Sequence, residues 1–123
     1  MKFTKKEIAV CKKIAEKHRK EIKYGDWYLD NIVVLLNNDF IKGTIFVARQ
    51  VRLGLIPLWQ ISDCLEFLRE RRKHCVFLSH DEGDEKEWWC FFDEYHETQQ
   101  FDSGKTPLEA LLKVVLGVLK NGK

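Results

Sequence analysis

The stretch KEWWCFFDEY, Lys86 to Tyr95, decides how many layers this chain must have. On a strand, Trp88, Cys90 and Phe92 point to one face, and Trp89 and Phe91 to the other. A half-buried strand alternates apolar and polar residues, and neither of these sets is polar. The stretch reads first as a central strand covered on both sides. A subunit interface is the second reading and an exposed aromatic binding site the third. Its acidic flanks, Asp84, Glu85, Glu87, Asp93 and Glu94, then keep the strand ends in water.

Working back toward the N-terminus, HCVFLSH (residues 74–80) reads as the partner strand, and Asp81 to Asp84 as the hairpin turn between them. Before it, Ser62-Asp63 looks like an N-cap with an acid in the first turn. The helix it opens runs to about Lys73, with Cys64, Leu65, Phe67 and Leu68 as its apolar face. Between Asp26 and Pro57, the segments DWYLD, NIVVLL and TIFVARQV are rich in β-branched and aromatic residues. Turn residues at Asp30-Asn31, Asn37-Asn38-Asp39 and Lys42-Gly43 separate them, which predicts a short antiparallel meander ended by Pro57.

The first helix is predicted over Thr4 to about Lys23, with Gly25 as its stop. Ile8, Cys11, Ile14, Ala15, His18 and Ile22 fall on one side of it, and six cationic residues fall on the other. Thr4 and Glu7 have the spacing of a capping box. At the other end of the chain, Gln99 to Lys105 reads as a polar connection. Thr106-Pro107-Leu108-Glu109 then opens a helix to about Lys120, with an N-cap threonine, proline at the first helical position and a glutamate at the capping-box spacing. Leu108, Leu111, Leu112, Val115, Val118 and Leu119 share a face of it. Val114 and Leu116 widen that face beyond an ordinary stripe, so the helix is deeply buried or packs on a second chain.

The expected architecture is α+β, in the order α-βββ-α-ββ-α. Three helices pack on a mainly antiparallel sheet of four to five strands that is covered on both faces at least in part. At 123 residues the chain is expected to be one domain, with residues 1–24 as a basic amphipathic helix and 25–120 as the sheet-and-helix core.

Composition narrows the function classes. With 45% hydrophobic and 33% charged residues the chain has the balance of a soluble globular protein. No apolar run approaches the length of a bilayer span, and lysines interrupt the N-terminus where a signal peptide would be apolar. A cytoplasmic protein without membrane contact is expected, and its four cysteines are then reduced core residues. The net charge of +2 hides a segregation: residues 1–25 carry nine Lys or Arg against three Glu, and residues 80–102 nine acids against Lys86.

Motifs for chemistry are weak. Cys75, His80, Cys90 and His96 lie on or beside one predicted hairpin, but the short ligand spacings that build a zinc site are absent. Ser79-His80-Asp81 are consecutive, and neighbours on a strand face opposite ways. Gly104-Lys105-Thr106 mimics the tail of a phosphate-binding loop without its upstream glycine. The expectation is therefore no enzyme, no metal and no cofactor. Four tryptophans, Trp27, Trp59, Trp88 and Trp89, are many for this length; most are expected in the core, with an aromatic patch for a protein partner as the alternative.

Taken together, GDWYLD (25–30), IPLWQISDCLEFLRER (56–71) and TPLEALLKVVLGVL (106–119) resemble segments of small uncharacterised proteins encoded by phages and prophages. The resemblance covers most of residues 24–120 and implies a phage-type accessory role with no established activity, so it transfers no site residues. The function expected is protein–protein interaction or self-association, as a homodimer or with a protein partner. Val114, Leu116 and one of Trp88 or Trp89 are the candidate interface. The alternative is nucleic-acid binding through Lys5, Lys12, Lys13, Lys20, Arg69, Arg71, Arg72 and Lys73.

Overall fold

The computed structural model describes residues 2–37, 43–71, 74–80, 87–94 and 97–120. Among them are four helices and eight strands in three small antiparallel sheets. The chain is thus α+β, but one helix and two sheets richer than the three helices and single sheet expected.

Helix α1 (Lys5–Lys17) starts at the capping box that its sequence carries. Glu7 N donates to Thr4 Oγ1 at 3.1 Å, and Thr4 N donates to Glu7 Oε1 at 2.7 Å. It ends six residues before the expected Lys23, because His18 turns extended and the chain leaves to form β1 (Ile22–Lys23). Ile22 therefore belongs to a strand, not to the helix stripe. Gly25, at φ +93°, serves the turn after β1 and not a helix stop.

β2 (Trp27–Asp30) and β3 (Ile32–Leu35) form the expected hairpin, with Asn31 at φ +62°, a conformation that asparagine tolerates. The stretch TIFVARQV does not form one strand. It divides into β4 (Thr44–Ile45), which pairs with β1, and α2 (Val47–Leu53). Pro57 lies inside β5 (Ile56–Leu58) and not at its end. β5 is an edge strand beside β2, where a missing N–H is tolerated. Helix α3 (Ile61–Glu70) begins one residue before Ser62. Its entry is held by Asp63, whose Oδ2 accepts from Gln60 N at 2.8 Å.

The third sheet is β6 (His74–His80), β7 (Trp88–Glu94) and β8 (Glu97–Gly104), in that order. The expected turn at Asp81–Asp84 lies outside the described residues. β7, the aromatic stretch, is the central strand, as read. β8 occupies most of the segment expected as a polar connection, Gln99 to Lys105: an edge strand has one free side, so its polar sequence is compatible with pairing. The β7–β8 register shifts between Cys90 and Phe91. Leu78, Trp88 and Cys90 turn to the core; on the opposite face Ser79 is exposed and Trp89 and Ser103 are half-buried. At this end of the sheet the second face is only partly covered.

Helix α4 (Pro107–Lys120) is the centre of the molecule and packs on α1, α3, β7 and β8. Leu111, Leu112 and Val115 meet Cys11 and Ile14 of α1, Cys64 and Leu68 of α3, Leu58 of β5 and Cys90 of β7 in one core. The basic first helix is accordingly part of that core and not an addition to it. A smaller cluster joins Ile22, Leu36 and Leu55 with Tyr28 and Ile45.

Candidate interaction surface

Helix α2 buries one polar side chain and leaves its apolar ones exposed. Gln50 is fully buried, whereas Phe46 at its N-cap is 64% exposed, Val51 57% and Leu53 51%, with Val47 also exposed. A seven-residue helix has little stability of its own, so specific contacts must hold it. Gln50 Nε2 donates to the carbonyls of Lys20 at 3.0 Å and Ile45 at 2.8 Å; its Oε1 has no partner among the described residues. At the other end Gly54, left-handed at φ +71°, closes a Schellman turn: Leu55 N donates to Gln50 O and Gly54 N to Val51 O. At 3.6 residues per turn Val47 and Val51 flank Gln50, and they stay exposed because the helix is seated shallowly, burying the amide alone.

Beside this face lies a groove of about 620 Å³, lined by Tyr28, Val34, Leu36, Ile45, Arg49 and Leu53 among others. Its volume is in the range that holds a ligand or an inserted side chain. Arg49 and Arg52 are exposed on α2, which carries no acid. Together these residues make an apolar surface with a cationic border and an adjoining hollow.

A second cleft of about 300 Å³ lies between the end of α1 and α3. Its lining is net acidic, with one buried cation shared between two carboxylates: Lys20 Nζ sits 3.0 Å from Asp26 Oδ2 and 3.3 Å from Asp63 Oδ2. The rings of His18, Trp59 and Phe67 form its wall, with centroids 5.5–6.1 Å apart. Burial among these rings, reinforced by the Arg71 cation, holds the His18 pKa below its ordinary value; Glu70 acts in the opposite direction.

The residues proposed from sequence distribute unevenly. Val114 is fully buried and Leu116 nearly so, which removes them from any interface: the breadth of the α4 apolar face is used within the chain. Trp88 is half-buried with its ring 4.7 Å from that of His80, and Trp89 is half-buried on the opposite face of β7. Of the cations, Lys5, Lys12, Lys13 and Arg69 are exposed. Lys20 is taken by its two aspartates, and Arg71 lies 4.7 Å over the ring of Phe67. Arg72 and Lys73 lie outside the described residues.

Among the described residues no group of three or more His, Cys, Asp or Glu is placed to hold a metal. Cys11, Cys64 and Cys90 are fully buried free thiols. Burial pushes Cys11 up to about 11, against a hydrogen bond from the Trp59 backbone, and Cys90 up to about 12. Burial also raises Cys64 well above the ordinary thiol value. Such thiols are poor nucleophiles. His96 and the side chain of Cys75 lie outside the described residues. No described helix is long and apolar enough to cross a membrane.

The α2 surface had a legible signal in the sequence, the single glutamine between Val47 and Val51 with Gly54 following, but reading the segment as a strand hid it. Comparison with protein-family models, with curated proteins and with solved structures found no match for this chain.

Proposed function

We propose that this protein is a small phage-type accessory factor that works inside the cell by binding another macromolecule, without catalysis, and that α2 supplies the contact. The observation that carries this reading is the exposure of the apolar residues on and beside α2. Phe46, Val51 and Leu53 are each more than half exposed, although the fold has a core in which to place such residues. Fully burying a side chain of this kind is worth roughly 1.5–3 kcal/mol, so a partner covering these half-exposed residues gains on the order of 1 kcal/mol from each. Clustered exposed apolar residues with a polar border are a mark of interaction sites.

The double substitution Phe46→Ser/Val51→Ser tests it. Both side chains are exposed, so stability should change by about 0.5 kcal/mol or less. Complexes that the wild-type chain forms in a bacterial lysate should disappear. Complexes that persist unchanged would remove α2 from the account.

The exposed lysines of α1 support nucleic-acid binding as a second reading. It predicts retention on DNA or RNA that falls steeply with salt and is lost on Lys5→Glu/Lys12→Glu/Lys13→Glu. The engagement of Lys20 and the stacking of Arg71 make it the weaker of the two.

A further inference from the structure

The sheet β3-β2-β5 has one guarded edge and one open edge. On the β5 side, Pro57 interrupts the row of donors and α1 packs alongside. On the β3 side, Ile32–Leu35 reads IVVL, with no charge, proline or bulge, and β3 pairs with β2 alone among the described residues. Ile32, at 70%, is the most exposed of the large apolar side chains described. The edges of the third sheet are protected: β8 carries Glu97 and Asp102, and β6 lies against α3.

The ladder fixes which groups of β3 are free. Leu36 N donates to Asp26 O, and Leu36 O accepts from Gly25 N, both at 2.8 Å. Peptide groups alternate in direction along a strand, so those of Val34 and Ile32 also face β2. The N–H and C=O of Val33 and Leu35 therefore face away from it. Pro57 fits the same alternation: it stands opposite Tyr28, which pairs with Val34 on its other side, so β5 needs no N–H there. Side chains alternate too. Val33 packs against the main core, whereas Val34 lines the groove beside α2.

From this edge we infer that β3 joins two copies of this chain, antiparallel about a two-fold axis at Val34. In that register Val33 of each copy stands opposite Leu35 of the other. Each such pair exchanges two N–H···O bonds, so every outward group of Val33 and Leu35 is satisfied. Val34 meets Val34 across the axis, and the exposed Ile32 lies beside Leu36 of the second copy. No charge meets its like. The edge is thus complementary to itself in backbone and in side chains, which is what selects a second copy over an unrelated strand. So short a pairing stays below the roughly 1,000 Å² of a tight interface, and the dimer is one of micromolar strength. The groove faces of both copies fall on one side of the joined sheet, so the dimer presents two α2 surfaces in the same direction. This goes beyond the reading of α2 and does not depend on it.

The test uses the full chain. Light scattering at high micromolar concentration should give twice the chain mass for wild type. Leu35→Pro removes an outward N–H from each copy and leaves the bonds to β2 in place. It should stay folded by circular dichroism and weaken the dimer at least tenfold. Val34→Cys places two thiols across the axis at a non-hydrogen-bonded pair, where strands approach closely enough for a disulfide. It should form a covalent dimer on mild oxidation, whereas Ile32→Cys, more exposed but displaced from the axis, should not. Oxidised wild type controls for the native cysteines. A wild type that stays monomeric, a folded Leu35→Pro that dimerises as wild type does, or Ile32→Cys cross-linking as fast as Val34→Cys would each overturn the inference. None of these substitutions lies on α2, so such a failure leaves the proposed function standing.

Discussion

The hydroxyl of Thr106 donates to Oε2 of Glu7, joining the N-termini of α4 and α1 across 99 positions of sequence. Each partner also caps its own helix. Glu7 Oε1 accepts from Thr4 N, and Thr106 Oγ1 accepts from Glu109 N at 3.0 Å. The carboxylate of Glu109 goes to Lys105 N at 2.6 Å and not to Thr106, so the second capping box is only half formed. Gly104 makes room for it: a Cβ there would fall 2.7 Å from Glu109 Cγ. Two local signals thereby become one long-range tie beneath the core.

Thr106→Val should therefore cost more than an ordinary cap. It removes the acceptor for Glu109 N and the donor to a buried carboxylate, for a loss of about 1–3 kcal/mol in urea unfolding. A double-mutant cycle with Glu7→Gln should show coupling of about 1 kcal/mol. Additive effects would mean that the two termini are not linked.

Gln50→Leu should loosen α2. The substitution keeps the volume roughly but leaves the Lys20 and Ile45 carbonyls without their donor, for a loss of about 1–3 kcal/mol. Amide exchange should quicken in residues 47–55 more than in α4. Uniform quickening would show that Gln50 supports the whole fold and not this helix in particular.

His18 sets a pH dependence of definite sign. Its folded pKa lies below the ordinary 6.5, so below that value the unfolded chain binds more protons than the folded one. Its contribution to stability is therefore present above about pH 6.5 and lost as pH falls through the folded pKa. An imidazole NMR titration should give a midpoint below 6.5, and His18→Phe should flatten stability across that window. A midpoint above 6.5 would contradict the packing described for the ring.

The helix starts at Thr4 and Thr106 and the central place of KEWWCFFDEY were legible because each is decided within a few residues. The end of α1 was not. Nothing between Lys17 and Lys23 breaks a helix, and it is the pairing of Ile22 and Lys23 with Ile45 and Thr44 that draws the chain into a strand. The same holds for α2: β-branched Val47 and Val51 favour a strand locally, and the two buried bonds of Gln50 overrule them. α4 misled in the opposite direction. Its broad apolar face suggested a subunit interface until α1, α3 and the third sheet were seen to surround it. The surface now proposed was hidden for the same reason, since exposure of an apolar residue is a property of the assembled fold and not of its neighbours in sequence.

The most direct measurement is site-specific photocross-linking, with benzoylphenylalanine at Val51 and, as control, at exposed Lys12 on α1. The account predicts adducts from Val51 and few from Lys12, whether the captured chain is a second copy or another protein. Adducts from Lys12 alone, or equal yields from both positions, would contradict the claim that α2 is the surface through which this protein acts.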